Sequence, residues 1–234
     1  MQGYGQFCPV AVACEVFAER WTPLILRELL AGSRRFSEIR RGMPLISRAL
    51  LAQRLRGLEE AGVIGSRPRA RGRGREYGLT ASGEEFRKVI TSLGEWGQRW
   101  TIRVSAQNLD AGFLMWDVQR RIAVDRLPPR RVTIRFDFRR LPPHHRGAST
   151  FWLVLDGPEV DLCLKDPGFE VDLVVTADLA TFVKVWLGDV KWSQAVSSGA
   201  VRLEGAPQWI RAFPAWLLLG GFAGVERPRR LRAS

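Results

Sequence analysis

Apolar positions keep a helical period through most of the first hundred residues, broken by one hairpin, and then alternate in twos through much of the remaining chain. From Cys8 to Leu30 the apolar residues Val12, Val16, Phe17 and Trp21, then Leu24, Ile25, Leu26, Leu29 and Leu30, predict a helix or a broken pair. Pro23 suits the first turn of the second member of such a pair. Phe36–Gly42 predicts one short helix and Met43-Pro44-Leu45 a tight turn. Ser47 then offers a hydroxyl that can cap a new helix, in which Leu51, Leu55 and Leu58 share one face. Arg48, Ala49, Ala52, Gln53 and Arg56 fall largely on another face, no acid occurs before Glu59, and Gly62 ends the run. Two short helices joined by a turn make a helix-turn-helix. Val63-Ile64 and Tyr77–Thr80 predict two strands around Arg67-Pro-Arg-Ala-Arg-Gly-Arg-Gly-Arg75, a hairpin with a basic tip, as in a winged helix-turn-helix.

A further helix is predicted from Thr80, with Ser82 as its cap and Phe86, Val89, Ile90, Leu93, Trp96 and Trp100 on one stripe. That stripe is too long and aromatic for a small wing domain to bury alone, and pairing with a second copy would cover it. The stripe fades over 104–112, a plausible linker. An amphipathic helix is expected over 113–124. Val132, Ile134, Phe136 and Phe138 then alternate with polar residues as in a half-buried strand. Phe151–Leu155, Val160–Leu164, Val171–Val175 and Val201–Gly205 predict four more strands. Asp178 is placed to cap a helix through Leu187, a further helical turn is expected over Trp192–Val196, and Pro207 opens a terminal helix. The expected fold class is α+β. It comprises a winged helix-turn-helix domain over 1–105, then an α+β domain over 106–234 with a mainly antiparallel five-stranded sheet covered by helices.

Charge sharpens this picture. The formal net charge of +12 in 234 residues calls for a negatively charged partner, nucleic acid before an anionic membrane. Residues 1–105 hold 18 Lys/Arg against 10 Asp/Glu, and residues 106–234 hold 18 against 14, so the excess sits mainly in the first half. Of the 36 cations 32 are Arg, a skew that nucleotide bias explains as readily as function. Three cysteines give no disulfide scaffold, no basic-then-apolar leader opens the chain, and the greasy run from Phe213 is short and Gly-broken. A cytoplasmic protein without membrane insertion is expected.

At this point the residues resemble a known family. Cys8-Pro-Val, Trp21-Thr-Pro-Leu-Ile-Leu-Arg-Glu-Leu-Leu30, Arg35-Phe-Ser-Glu-Ile-Arg40, Ile46-Ser, Leu51–Gly62, Arg75-Glu-Tyr-Gly-Leu-Thr80, Gly83 and Glu95-Trp-Gly97 occur in the order found in HxlR-type winged-helix transcriptional regulators. The resemblance covers about residues 8–100. It implies a homodimer built from N- and C-terminal helices on palindromic operator DNA, with the Ser47 helix in the major groove and the wing near the minor groove or backbone. Repression is the expected direction of control. The wing is more Arg-dense than the family pattern requires, which favours affinity over discrimination. Ser47, Arg48, Gln53 and Arg56 are the candidates for base or phosphate contact, and Arg69, Arg71, Arg73 and Arg75 for holding the backbone. An ordinary amphipathic helix and a loosely nucleic-acid-binding basic loop remain the bland alternatives. Some family members sense oxidants through a cysteine matching Cys8, so a redox-sensing regulator is a rival; a lone Cys more often serves as a small apolar side chain.

Residues of about 113–220 resemble, more loosely, the sterol carrier protein-like lipid-binding domain. The likeness rests on Val171-Asp-Leu-Val-Val-Thr-Ala-Asp-Leu-Ala180, Trp186-Leu-Gly188 and Ser198-Gly-Ala-Val-Arg-Leu-Glu-Gly205. It implies an apolar cavity between sheet and helices, with Trp152, Phe182, Trp186, Trp192, Trp209, Phe213 and Trp216 as candidate lining for an apolar small molecule or lipid. Closed cores use such rings too, and a dimerisation or spacer module is the plainer alternative. A lipid-binding or transport protein with a basic docking domain is a rival from another class. His144 and His145 are adjacent in a Pro-flanked turn, no Cys pair has zinc spacing, and Arg71–Arg75 lacks the rest of a phosphate loop. Catalysis, a metal and a cofactor are not expected.

Overall fold

A computed structural model describes residues 3–70 and 72–228, and the chain divides into two compact units, Met1–Trp96 and Gly97–Ser234. Residues 97–105, grouped by sequence with the first domain, associate with the second unit.

In the first unit the broken pair expected before Gly32 is α1 (Pro9–Phe17) and α2 (Thr22–Leu30), each with a proline in its first turn. Trp21 joins them at φ 80°, a left-handed conformation uncommon for a bulky residue, with the Arg20 guanidinium 5.4 Å from its ring. The helix-turn-helix is α3 (Phe36–Arg41) and α4 (Arg48–Glu60). Ile25, Leu26, Leu29, Ile39, Met43 and Ile46 meet Leu51, Leu55 and Leu58 in one core. A buried carboxylate fixes the turn: Glu28 accepts from Arg27 at 2.9 Å and Ser33 at 3.2 Å, and Arg27 also donates to the Gly42 carbonyl at 2.7 Å.

The hairpin is β1 (Ile64–Pro68) paired antiparallel with β2 (Arg75–Leu79), and α5 comes next over Ala81–Trp96. Its start is capped differently from the sequence expectation. Thr80 Oγ1 accepts the Gly83 amide at 3.2 Å, while Ser82 donates to the Gly62 carbonyl. Gly83 is required there for space, because a Cβ would lie 2.1 Å from the Val63 carbonyl oxygen.

The second unit contains α6 (Ala111–Gln119), β3 (Val132–Arg139), β4 (Thr150–Asp156), β5 (Glu159–Cys163) and β6 (Leu173–Asp178). It continues with α7 (Leu179–Trp186), α8 (Trp192–Ser197), β7 (Val201–Gly205) and α9 (Pro207–Trp216). The strands form one sheet in the order β5-β4-β3-β6-β7. The expected five strands are present, but the sheet is mixed: β3 and β6 run parallel, whereas β3–β4, β4–β5 and β6–β7 are antiparallel. After the β4–β5 hairpin the chain returns across the sheet and lays β6 on the free side of β3 in the same direction, as a crossover allows. Val132, Ile134, Phe136 and Phe138 are buried on the helix-covered face beside Leu153, Leu173 and Val175. Asp178 stands at the start of α7 without a side-chain capping bond; it pairs with Arg139 at 3.6 Å and Arg140 at 3.3 Å.

Candidate nucleic-acid interface

Helix α4 presents two unlike faces because of where its leucines fall. Leu51, Leu55 and Leu58 are 2% exposed or less, so the opposite side is held outward. Ser47 caps the helix, its Oγ accepting the Leu50 amide at 3.2 Å, which leaves its hydroxyl proton able to donate. Arg48, Gln53 and Arg56 are exposed. None of these three side chains makes a hydrogen bond or ion pair among the described residues. Arg54, on the flank of the same helix, is tied down instead: it pairs with Glu19 at 2.5 Å and donates to the Arg20 carbonyl at 3.2 Å. A cleft of about 780 Å³ lies beside this flank, with Gln53, Arg56, Cys14 and Glu19 among its lining.

The wing is less uniform than its sequence. Gly72 at φ 83° and Gly74 at φ 109° take the left-handed turns of the tip. Arg75 donates to Ser66 Oγ at 2.7 Å and lies 3.7 Å from Glu59, and Arg67 faces Glu76 at 3.3 Å. Arg69 reaches the Arg73 carbonyl at 3.5 Å, Arg73 is exposed, and Arg71 lies outside the described residues. The sequence groups Arg75 with Arg69, Arg71 and Arg73 as backbone-holding residues; cross-strand partners make it a brace at the wing's root. Sequence reading also passed over Arg34 and Arg35. The Arg34 carbonyl accepts the Tyr77 amide at 2.8 Å and Arg35 bridges to Glu76, which brings both exposed guanidinium-bearing residues to the base of the wing. Arg34 and Arg67 share a groove of about 530 Å³ there. Their place just before a short helix, in a basic Ser-Arg-Arg run, was the available signal.

This arrangement can hold a phosphate backbone at the wing and set a short helix with paired-donor side chains against base edges. Residues 16–105 match the family described as HxlR-like helix-turn-helix. An uncharacterised HTH-type transcriptional regulator of Bacillus subtilis, YdeP, is 32% identical over 103 residues, spanning 42% of this chain and 77% of that protein. A second from the same organism, YvaP, is 34% identical over 97 residues, 41% of this chain and 90% of that one. A third, from Methanothermobacter thermautotrophicus, is 36% identical over 99 residues, 40% of this chain and 72% of its own.

The chain belongs to the HxlR-like helix-turn-helix transcriptional regulators. A solved structure, the redox regulator HypR in its reduced form, is 28% identical, with a TM-score of 0.37 over 39% of this chain and 91% of that one.

Cys8 of this HxlR-like chain is exposed at the start of α1, where the amides of Ala11 and then Val10 hold its thiol below the usual range. The seven aromatic candidates of the second unit do not share one place. Phe182, Trp192, Phe213 and Trp216 form one chain of edge-on rings with Phe136, neighbouring centroids 5.5 to 6.4 Å apart. Trp209 joins it at 6.1 Å from Trp216 and carries Arg130 over its ring at 4.6 Å. Trp186 is 5% exposed and donates to Asp117 at 2.8 Å. Trp152 alternates with Phe151 and Leu153 on β4, so it stands on the opposite side of the sheet. Its Nε1 is buried without a partner. The structure thus brings five rings together against each other and leaves Trp152 and Trp186 apart from that stack. No helix among the described residues is long and apolar enough to cross a membrane.

Proposed function

We propose that this HxlR-like regulator binds operator DNA as a homodimer, with α4 in the major groove and the wing on the adjoining backbone. The observation that carries the reading is the unpaired outward set Arg48, Gln53 and Arg56 on a helix whose leucine face is locked in a core. The second copy is argued from apolar exposure. Val89 (44%), Leu93 (48%) and Trp96 (55%) lie bare along α5, and Val10 and Val12 along α1. Phe17 of α1 stacks on Phe86 of α5 with centroids 5.3 Å apart, so the two helices are held side by side. A patch of this kind on two neighbouring helices suits a two-fold partner with the same patch. The test is titration of duplex DNA across ionic strength: log affinity should fall with log salt by about 0.9 per neutralised phosphate. Affinity that barely changes with salt would remove the backbone-holding role.

The second unit serves, in this reading, as a small-molecule sensor of sterol carrier-like build, and ligand binding biases operator occupancy. The strings at 171–180 and 198–205 support it, and so does the order of strands and helices. Oxidant sensing through Cys8 is a second reading, favoured by its exposure and lowered pKa. Cys8→Ser distinguishes it: operator release by diamide should vanish in that variant and persist if the thiol is incidental.

A further inference from the structure

We propose that a groove across the root of the wing, at Gly65 and Gly78, seats one strand of the DNA phosphate backbone, with Arg34 as its phosphate-binding residue. The inference rests on reading this chain as a DNA-binding regulator, and it adds a backbone site apart from the arginines of the wing tip. The groove is the one of about 530 Å³ that Arg34 and Arg67 line together. Gly65 stands directly opposite Gly78 in the β1–β2 register, and Arg67 opposite Glu76. Ile64 is buried in the core, so strand alternation turns these four positions outward.

Neither glycine is demanded by the chain itself. Neither has a positive φ, unlike Gly72 and Gly74 of the tip. A Cβ at Gly65 would meet nothing within 4 Å, and one at Gly78 would find only Arg34 Nη1, at an ordinary 3.7 Å. A glycine inside a strand weakens it, and often marks a place where another backbone comes close. Two of them opposite each other leave the root of the wing bare of side chains, so a phosphodiester strand can lie against it. Arg34 supplies the charge. Its backbone is held on both sides: the amide donates to Glu38 at 2.8 Å, and the carbonyl accepts the Tyr77 amide at 2.8 Å. The residue is exposed, and its guanidinium makes no hydrogen bond or ion pair among the described residues. Glu76, the acid in the groove, is matched by Arg67 at 3.3 Å, which leaves Arg34 as the groove's excess positive charge. A guanidinium offers paired donors that fit two phosphate oxygens.

The test is fluorescence-anisotropy titration of the full chain, across ionic strength, with a duplex selected from random sequence and with an unrelated duplex. Arg34→Met should weaken both duplexes by the same several-fold factor, because a phosphate carries no sequence. It should also lower the slope of log affinity against log salt by about 0.9 per chain. Arg34→Lys should keep the slope and most of the affinity. Gly65→Ala with Gly78→Ala should melt at the wild-type temperature or above, yet bind both duplexes several-fold more weakly. Wild-type affinity and slope in Arg34→Met, or wild-type affinity in the double alanine variant, would each overturn the proposal. So would a loss confined to the selected duplex, which would place the fault in α4. If the double variant melts below wild type, Gly65→Ala alone decides. Wild-type binding that ignores salt sinks the wider backbone reading; salt-dependent wild-type binding with indifferent variants sinks only the groove.

Discussion

The two units use the same residue type for opposite ends. In the second unit five arginines of one stretch are matched, Arg130 with Asp172, Arg131 with Asp156, Arg135 with Asp137, Arg139 and Arg140 with Asp178, while the exposed Arg146, Arg202 and Arg211 have no acid within ion-pair distance among the described residues. In the first, Arg54 and Arg75 are likewise matched, but Arg48, Arg56 and Arg73 have no acid within ion-pair distance among the described residues. Apolar residues divide the same way. The second unit packs five of its candidate rings around Phe136 and leaves Leu164, Phe169 and Leu218 exposed singly, while the first leaves Val89, Leu93 and Trp96 bare along one helix. In the proposed reading, the unpaired arginines of α4 meet a polyanion and the bare stripe of α5 meets a second chain. Arginine content alone does not separate the two; the first unit differs in setting two unpaired arginines, Arg48 and Arg56, on one helix whose other face is locked in a core.

Several changes would break or sharpen that contrast. Leu55→Ala empties the core behind α4, and chemical denaturation should show about 2–5 kcal/mol lost. A stabilised or unchanged midpoint would mean that α4 is not held from behind. Leu93→Glu with Trp96→Glu should turn a dimer into a monomer by sedimentation velocity with the circular dichroism spectrum intact. Arg56→Ala should cost about 1–3 kcal/mol in operator affinity if it reads a base. Arg131→Ala, removing an exposed pair in the second unit, should leave DNA affinity alone and change stability by about 0–1 kcal/mol. Equal losses of operator affinity at Arg56 and Arg131 would erase the distinction drawn from pairing.

The smallest effect concerns thiols. Cys8 has its pKa lowered by the helix amides, and Cys163 has its own raised by burial and then by Asp161. Thiolate forms as pH rises through the pKa, so iodoacetamide should modify Cys8 at lower pH than Cys163, as peptide mass mapping would record. The reverse order would contradict the placement of Cys8 at the amide end of α1.

Periodicity made most elements legible, because it reports which residues share a face. Ile46–Gly62 became α4 within two residues at each end, and all five strands of the second unit appeared, four close to their expected bounds and β6 moved from 171–175 to Leu173–Asp178. It says nothing about which strand lies next to which, and the parallel β3–β6 pairing was hidden for that reason. Which hydroxyl caps α5 was equally hidden: Thr80 and Ser82 both precede a helical run, and the close approach of Gly83 to Val63 decides between them. The braced role of Arg75 needs Ser66 and Glu59 brought beside it by the hairpin. Arg227 drew no notice, since its pairing with Asp189 exists only once the fold brings the two segments together.

The central claim is that two copies set their α4 helices on one duplex. Hydroxyl-radical footprinting on a duplex selected by the protein from random sequence, with chain stoichiometry from sedimentation, tests it most directly. The account predicts two chains per duplex and two protected patches related by two-fold symmetry, about one helical turn or a whole multiple apart. One chain per duplex with a single patch, or protection without a preferred sequence, would contradict it.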